Sequence, residues 1–308
     1  MKIFVILLNW NGKDDTLNCL RSLKKVKTSH HIIVVDNGSA DDSVLAIHQE
    51  FPHITLIETG ENLGYAEGNN VGIRHALRLE ADYIFILNND TKVEPNILEA
   101  FLEDSTAPIQ GAKTHLMSSP TILDHIGGNW NPQKGEFDLV GAKENAENWM
   151  VTLTLDYVCG VALFVQAEVF QKVGLFEPRF FLFWEESDWC LRAKRLGYLT
   201  SFCPHAKLYH KVSASFTGGK PHTTYFWWRN RLLWIERNCS PKERYSLFFK
   251  VVLPDVLHTA KLYLLKSVFS RKTPEHIQRI RTYRAVLTGV KDYILRRFGN
   301  GPSWLFQK

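Results

Sequence analysis

The stretch ILNND, residues 86–90, decides how the chain is read. It closes an apolar run, YIFIL over residues 83–87, with two asparagines and an aspartate. A run apolar on both faces fits a strand of a parallel sheet covered on both sides. Asn and Asp are common where a strand gives way to a loop, so turn chemistry alone explains one such cluster. It explains a set poorly. Two other strand-like runs end the same way: KIFVILL (2–8) in Asn9, Trp10, Asn11 and Gly12, and HIIVVD (31–36) in Asp36, Asn37, Gly38 and Ser39.

A further run, ITLIE (54–58), and helical patterns in between complete an alternation of strand and helix; Leu17, Leu20, Leu23 and Val26, for instance, fall at helical spacing. Such alternation predicts an α/β fold of βαβ units, with right-handed crossovers and a Rossmann-like, mostly parallel sheet flanked by helices. Strands that run in one direction bring their polar C-terminal ends to one edge, where open α/β sheets bind ligands.

The 308 residues, 45% hydrophobic, suit one large domain or a domain with an appendage and argue against extensive disorder. The five cysteines are odd in number and form no C-x-x-C pair. They predict neither a disulfide framework nor a thiolate zinc site, and fit a reducing cytoplasm. MKIFVILLNWNG imitates a short signal peptide, but Asn9, Asn11 and Asp14 follow without a cleavage site, so it reads as a first strand. The formal charge of +5 hides an asymmetry. Residues 241–308 hold 14 Lys and Arg against 4 Asp and Glu, or +10, while residues 1–240 carry −5. A basic tail with apolar positions predicts an anionic surface, read here as a membrane, although charge alone also fits nucleic acid.

Residues 118–150 have turn formers and no sustained period, which predicts a flexible excursion or a hairpin. Order resumes in VTLTLDYVCGVALFVQ, with helices expected in AEVFQKV and ESDWCLRAKRLG, strands in YLTSF and AKLYH, and helices from about residue 224 onward. LFFKVVLPDVLHTAKLYLLKSVF (247–269) is apolar but interrupted by Lys250, Asp255, His258, Lys261 and Lys266, and Pro254 is expected to break its helix. Its uninterrupted length is far short of the ~20 residues that span a bilayer. It is expected to lie on a membrane surface or to pack on the rest of the chain.

In ENLGYAEGNNVGIRHAL (61–77), Gly64, Gly68 and Gly72 allow a ligand or another helix to approach the backbone, and Asn62, Asn69 and Asn70 offer amides. The sequence holds neither G-x-G-x-x-G nor a P-loop. Asp36 ends an apolar strand, where its carboxylate can accept the N3 hydrogen of uracil or thymine or a ribose hydroxyl, or cap a helix. In FFLFWEESDWCLRAKRLGY (180–198), Glu185, Glu186 and Asp188 start a helix whose dipole favours negative charge, and Asp188 with Arg192 makes an i, i+4 pair. Aromatic surroundings also raise a carboxylate toward the range of a general base. His210 closes a strand-like run. A hard cation, Mg²⁺ or Mn²⁺, would take Asp90, diphosphate oxygens and water, and Mn²⁺ tolerates a histidine nitrogen.

In order along the chain, NWNG, VVDNGSADDS, ENLGYAEGNN, ILNNDT, CGVALFVQAEVFQKVGLFEPRFFLFWEESDWCLRAKRLGY and YFWWRNRLL resemble inverting family 2 glycosyltransferases of the GT-A fold, in particular a bacterial rhamnosyltransferase-like branch. The resemblance covers roughly residues 2–238. It implies a GT-A catalytic domain over 1–238, followed by a basic amphipathic helical extension over 239–308. It also implies that Asn9, Asn11 and Asp36 line a nucleotide pocket, and that Asn62, Gly64 and Asn69 lie beside the diphosphate sugar. NND stands where the family has D-x-D, which assigns Asp90 to the metal and Asn88 and Asn89 to nucleotide or sugar, with His210 joining the metal. Glu186 matches the second acid of the family's E-D element and would be the base, flanked by Glu185 and Asp188.

The activity implied is Mg²⁺- or Mn²⁺-dependent transfer of a sugar, L-rhamnose by resemblance, from a dTDP or UDP donor. The acceptor implied is a cell-surface polysaccharide or a lipid-linked saccharide, met in the cytoplasm with peripheral contact at the inner face of its membrane. Two rivals stand beside this. A nucleotidyltransferase needs a glycine-rich basic triphosphate loop, which NWNGKDD does not offer. A catalytically silent sugar-nucleotide-binding scaffold is consistent with the departures of NND and EES from the commonest family letters.

Overall fold

In the computed structural model the apolar runs near the N-terminus become four parallel strands, β1 (Ile3–Asn9), β2 (His31–Asp36), β3 (Thr55–Glu58) and β4 (Tyr83–Asn88). The structure describes residues 1–104, 106–212, 220–269 and 273–306. Helices α1 (Lys13–Leu23), α2 (Ser43–Glu50) and α3 (Gly64–Arg78) connect the strands in turn. Successive side chains of a strand point to opposite faces, and here both faces are covered. Phe4, Ile6, Ile33, Val35, Ile84 and Ile86 enter one core with α3, while Ile3, Val5, Leu7, Val34, Phe85 and Leu87 enter a second with α1. Each such side chain contributes about 1.5–3 kcal/mol on full burial.

Two of the α3 glycines, Gly68 and Gly72, serve the sheet. A Cβ at Gly68 would lie 2.5 Å from Leu8, and one at Gly72 would lie 2.6 Å from Ile6. They let α3 settle directly onto β1.

Beyond β4 the chain adds β5 (Thr91–Val93), α4 (Ile97–Glu103), β6 (Ile109–Leu116) and β7 (Ser119–Leu123). It continues through β8 (Gly127–Asn131), β9 (Glu136–Val140), β10 (Leu153–Leu155), β11 (Tyr157–Val158), β12 (Ala162–Gln166), α5 (Ala167–Val173), α6 (Glu185–Arg195) and β13 (Thr200–His210). The main sheet has the order β10-β13-β6-β12-β4-β1-β2-β3, with β5 beside β13 and β7 beside β6, and β5, β7, β10 and β12 run against the rest. Residues 118–150 form the hairpin alternative: β8 pairs with β9, and β11 joins them in a small antiparallel sheet.

Two expectations are corrected here. YLTSF and AKLYH belong to one strand, β13, whose register shifts between Cys203 and Lys207. Pro204 in that interval cannot donate to the ladder, and the bulge absorbs it without ending the strand. Pro254 does not break its helix. After α7 (Pro221–Asn238), helix α8 (Pro241–Leu247) passes through a π turn, Phe248–Val252, into α9 (Leu253–Phe269), with helical torsions kept at Leu253. The wider turn accommodates a ring that has no N–H to give. Helix α10 (Pro274–Ile294) then returns along α7, where Tyr225 donates to Asp292 (2.9 Å) and Tyr293 to Glu236 (2.6 Å). No helix among the described residues is long and apolar enough to cross a membrane.

Candidate active site

Register places Asn9 beside Asp36, and Leu8 beside Asn88, so three strand ends meet. Their polar groups bind one another first. Asn9 is buried; its amide nitrogen donates to Asp36 Oδ1 (2.7 Å) and Ser39 Oγ (3.0 Å), and its oxygen accepts from Thr16 (2.7 Å). It therefore braces the frame from beneath. Asp36 is buried too, accepting from the Ser39 hydroxyl (2.6 Å) and backbone N–H (3.0 Å). The start of α2 is served by Asp41, which accepts from the Ser43 N–H at 3.2 Å, so Asp36 is not a helix cap. Asn11 sits exposed on the rim with φ 53°, accepting from the Ala40 N–H at 2.7 Å.

Asn62 accepts from Asn37 Nδ2 (3.0 Å) and from the Gly64 N–H (2.9 Å), while Asn37 accepts from the Leu63 N–H (3.0 Å). Asn37, not expected as a site residue, thus ties the end of β2 to the start of α3. Gly64 has φ +81°, and a Cβ there would lie 2.5 Å from the Phe181 ring. Asn69 is buried on α3, donating to Tyr65 O (2.9 Å), with its oxygen unpartnered among the described residues.

The three residues that open the reading separate. Asn88 accepts from the Tyr65 hydroxyl at 3.0 Å. Asn89 turns toward α1 and donates to Thr16 at 2.8 Å. Asp90 meets His210, with Oδ1 3.3 Å from Nε2, because β5 pairs with the end of β13. The other ring nitrogen of His210 lies 2.9 Å from Asp124 Oδ2. Burial works to lower the His210 imidazole, but hydrogen bonds to Asp124 and Asp90 outweigh it and push it up to about 10. Asp124 is lowered despite its burial, chiefly by His210. Nothing in the sequence marked Asp124 beyond its place next to His125 in a turn-rich segment. A carboxylate facing an imidazole whose far nitrogen is fixed by a second carboxylate is a donor set suited to a divalent cation. Among the described residues no group of three or more His, Cys, Asp or Glu side chains is gathered as a metal cage.

The acids at the start of α6 fall into three environments. Asp188 is fully buried and accepts from Arg192 Nε (3.0 Å), Arg237 Nε (2.8 Å) and Asn238 Nδ2 (2.9 Å). It anchors α6 to α7, and its expected place among the catalytic acids is corrected accordingly. Glu185 is also buried, has an oxygen without a partner among the described residues, and is raised well above the usual range by burial and by the charge of Glu186. Only Glu186 of the three opens on a cleft of about 690 Å³, lined with it by His125, Tyr157, Trp184, Trp227 and Trp228. Burial raises Glu186 as well, with His125 pulling the other way. Gly160 leaves room for it: a Cβ there would lie 3.1 Å from Glu186 Oε1. The Gly160 carbonyl is 2.9 Å from the Tyr65 hydroxyl that reaches Asn88, so the backbone beside the acid is tied to the ILNND edge through one tyrosine.

The loop that delivers Glu186 is strained. Phe181, Phe183 and Trp184 hold φ of 61°, 69° and 75°, conformations that cost of order 1–3 kcal/mol each for bulky residues. Asn230 of α7 holds the loop, its amide nitrogen within hydrogen-bond distance of the Phe180 (2.5 Å), Leu182 (2.6 Å) and Phe183 (3.0 Å) carbonyls. This gives the YFWWRNRLL segment a role that its sequence did not announce.

Residues 4–167 match the family model for glycosyl transferase family 2. The dTDP-rhamnosyl transferase RfbF of Shigella flexneri is 24% identical over 276 residues, spanning 83% of this chain and 86% of that protein. An N-acetylglucosaminyl-diphospho-decaprenol L-rhamnosyltransferase of Mycobacterium tuberculosis is 25% identical over 244 residues, 67% of this chain and 79% of that protein. Among solved structures, the mannosyltransferase PcManGT from Pyrobaculum calidifontis, in complex with GDP-Man and Mn²⁺, aligns with a TM-score of 0.56 at 13% identity, covering 96% of this chain and 87% of its own. The architecture is that of the GT-A glycosyltransferases.

Proposed function

This chain belongs to glycosyl transferase family 2 and is a glycosyltransferase; on that premise we propose that it transfers a sugar, with inversion, from a nucleoside diphosphate to an acceptor hydroxyl deprotonated by Glu186. One observation carries the assignment of the base. Of the three acids on α6, Glu186 alone faces the aromatic cleft, and Gly160, beside its carboxylate, is joined through Tyr65 to Asn88 at the edge where Asp90 also stands. The acceptor sugar stacks in the cleft against Trp227 and Trp228. Its hydroxyl passes its proton to Glu186 and attacks the anomeric carbon in line as the diphosphate departs. Asp36 and Asn11 face the nucleotide from the ends of β2 and β1. Asn9, Asn37 and Asn62 keep that frame rigid.

Asp90 and His210 would hold a divalent cation, Mg²⁺ or Mn²⁺, which when bound would supply positive charge beside the diphosphate. Asp124 fixes the His210 ring for that task. The donor we propose is dTDP-L-rhamnose, since two of the relatives are named as rhamnosyl transferases, and the acceptor a saccharide carried on a lipid. The test is a thermal-shift panel of dTDP-, UDP- and GDP-sugars with Mn²⁺, followed by transfer assays with those that bind. A ligand that binds only the folded state raises its melting temperature. Stabilisation by dTDP-rhamnose above the others supports the donor assignment. A larger shift and turnover with a UDP- or GDP-sugar replaces it, while a shift without turnover returns the chain to the silent-scaffold alternative and the absence of both overturns the proposal.

A further inference from the structure

We infer that the outer face of α8, the π turn and α9 is a docking surface for an anionic lipid bilayer. Leu257, Lys261, Leu264, Leu265 and Val268 recur at i, i+4, i+7, i+8 and i+11, the spacing of one helix face. In a helix packed on a globular core that apolar stripe turns inward. Here it turns out: Leu257 is 60% exposed, Leu264 63% and Val268 70%. The side of α9 toward the protein is occupied by α10, where Lys266 reaches the Tyr283 hydroxyl at 3.4 Å.

The exposed apolar area continues ahead of α9. Tyr245, 69% exposed, lies tilted against Phe249 with ring centroids 4.6 Å apart, and Phe249 lies 5.0 Å from Phe248, so three adjacent aromatic rings stand in solvent. Tyr with its polar tip is a side chain favoured at a membrane–water boundary. A contiguous apolar area of this extent on a soluble surface marks an interaction site.

Charge decides the occupant. Lys242, Arg244, Lys250 and Lys261 are exposed along the same helices, against Glu243 and Asp255. Glu243 keeps its charge while it caps α8 through Ser240, and Asp255 lies 3.8 Å from Arg231, so the four basic side chains against these two acidic ones leave the face with a net positive charge. An apolar stripe flanked by lysines, too short and too interrupted to cross a bilayer, fits a helix lying in the headgroup layer of an anionic membrane, with the lysine stems extended toward the phosphates. Arg271 and Lys272, expected from the sequence to join it, lie outside the described residues. This surface is separate from the cleft and stands whether or not the donor assignment does.

The test is co-sedimentation of the full chain with phosphatidylcholine vesicles, with and without phosphatidylglycerol. Retention is expected on the anionic vesicles only. It should weaken about fivefold for each lysine changed to glutamine among Lys242, Lys250 and Lys261, and weaken with added salt. A second variant, Leu257→Ser with Leu264→Ser and Val268→Ser, alters exposed positions alone and should keep the melting temperature while losing retention at least about tenfold. Failure of the full chain to bind anionic vesicles at low salt overturns the inference. So does retention unaffected by the triple serine change, or a concentration-dependent dimer that the same change abolishes, which would give the stripe to a second copy of the chain.

Discussion

The ends of β1 and β2 and the first turn of α6 treat their polar groups in opposite ways. At the strand ends, Asn9, Asp36, Asn37 and Asn62 spend their amides and carboxylate on one another, on Ser39 and on backbone N–H groups. At α6, Glu185 is buried and Glu186 half-buried, each has an oxygen unpartnered among the described residues, and both are raised by burial. A satisfied buried network rigidifies a fold, and an unsatisfied one stores free energy that only a ligand or a proton releases. The first region is therefore a frame, prepared before any ligand arrives. The second is reactive, and its neighbour Asp188, two residues on and fully paired, shows that burial alone does not make an acid reactive.

If the frame only positions groups, the largest losses should come from the few side chains on it that are not consumed internally. Asp90→Asn keeps the shape of the turn and should lower turnover about 10³-fold, the equivalent of several kcal/mol of lost charge stabilisation, with little change in melting temperature. A folded variant with unchanged turnover and unchanged response to Mg²⁺ and Mn²⁺ would remove Asp90 and His210 from the metal.

Glu186→Gln should lower kcat by about 10²-fold or more while the donor KM stays near its starting value. The pH profile gives a second reading of the same group. Its carboxyl is raised by burial and must be ionised to accept a proton, so wild-type turnover should fall as pH drops through that raised value. The acid limb of the profile should disappear in the glutamine variant. Should Glu185→Gln be the crippled form instead, the base moves by one residue.

Asp188→Asn should behave as a frame mutation placed on the reactive helix. Removing the charge leaves Arg192 and Arg237, each about a fifth exposed, short of their shared partner. A cost of about 2 kcal/mol in urea unfolding is expected, below the range for a fully desolvated pair because water reaches both guanidinium groups. Loss of turnover without loss of stability in this variant would restore Asp188 to the chemistry.

The strand ends were legible because periodicity fixes both the strand and the edge on which it stops, so Asn9, Asp36 and Asn88 were placed correctly even where their individual contacts were not. Asp124 was not legible. It comes from a turn-rich segment with no period, and the antiparallel pairing of β7 with β6 and the parallel pairing of β6 with β13 together bring it to His210. The three acids of α6 were found as a group, but their separate environments depend on α7, through Arg237 and Asn238 for Asp188 and through Asn230 for the loop before Glu185. Contacts made across about 50 residues leave no local pattern. The β13 bulge at Pro204 and the π turn before Pro254 teach the same lesson, since a proline read as a break is held within an element when the backbone locally changes its count.

The smallest effect, and the one with a distinctive sign, belongs to Glu185. Burial and the neighbouring charge of Glu186 hold its carboxyl well above the 4.5 of a free glutamate, so between those values the folded protein binds a proton that the unfolded chain does not. Stability from this group is fully present below 4.5 and is lost as pH rises through the folded value. Glu185→Gln takes away that dependence. It should leave the melting temperature unchanged near pH 4.5 and raise it above that of the wild type in alkaline buffer. In a Glu186→Gln background the gain should shrink, because one of the two causes that raise Glu185 is gone. A Glu185→Gln protein less stable than the wild type in alkaline buffer would mean that the carboxylate has a favourable partner there, and the contrast between a satisfied frame and an unsatisfied reactive helix would fail at this residue.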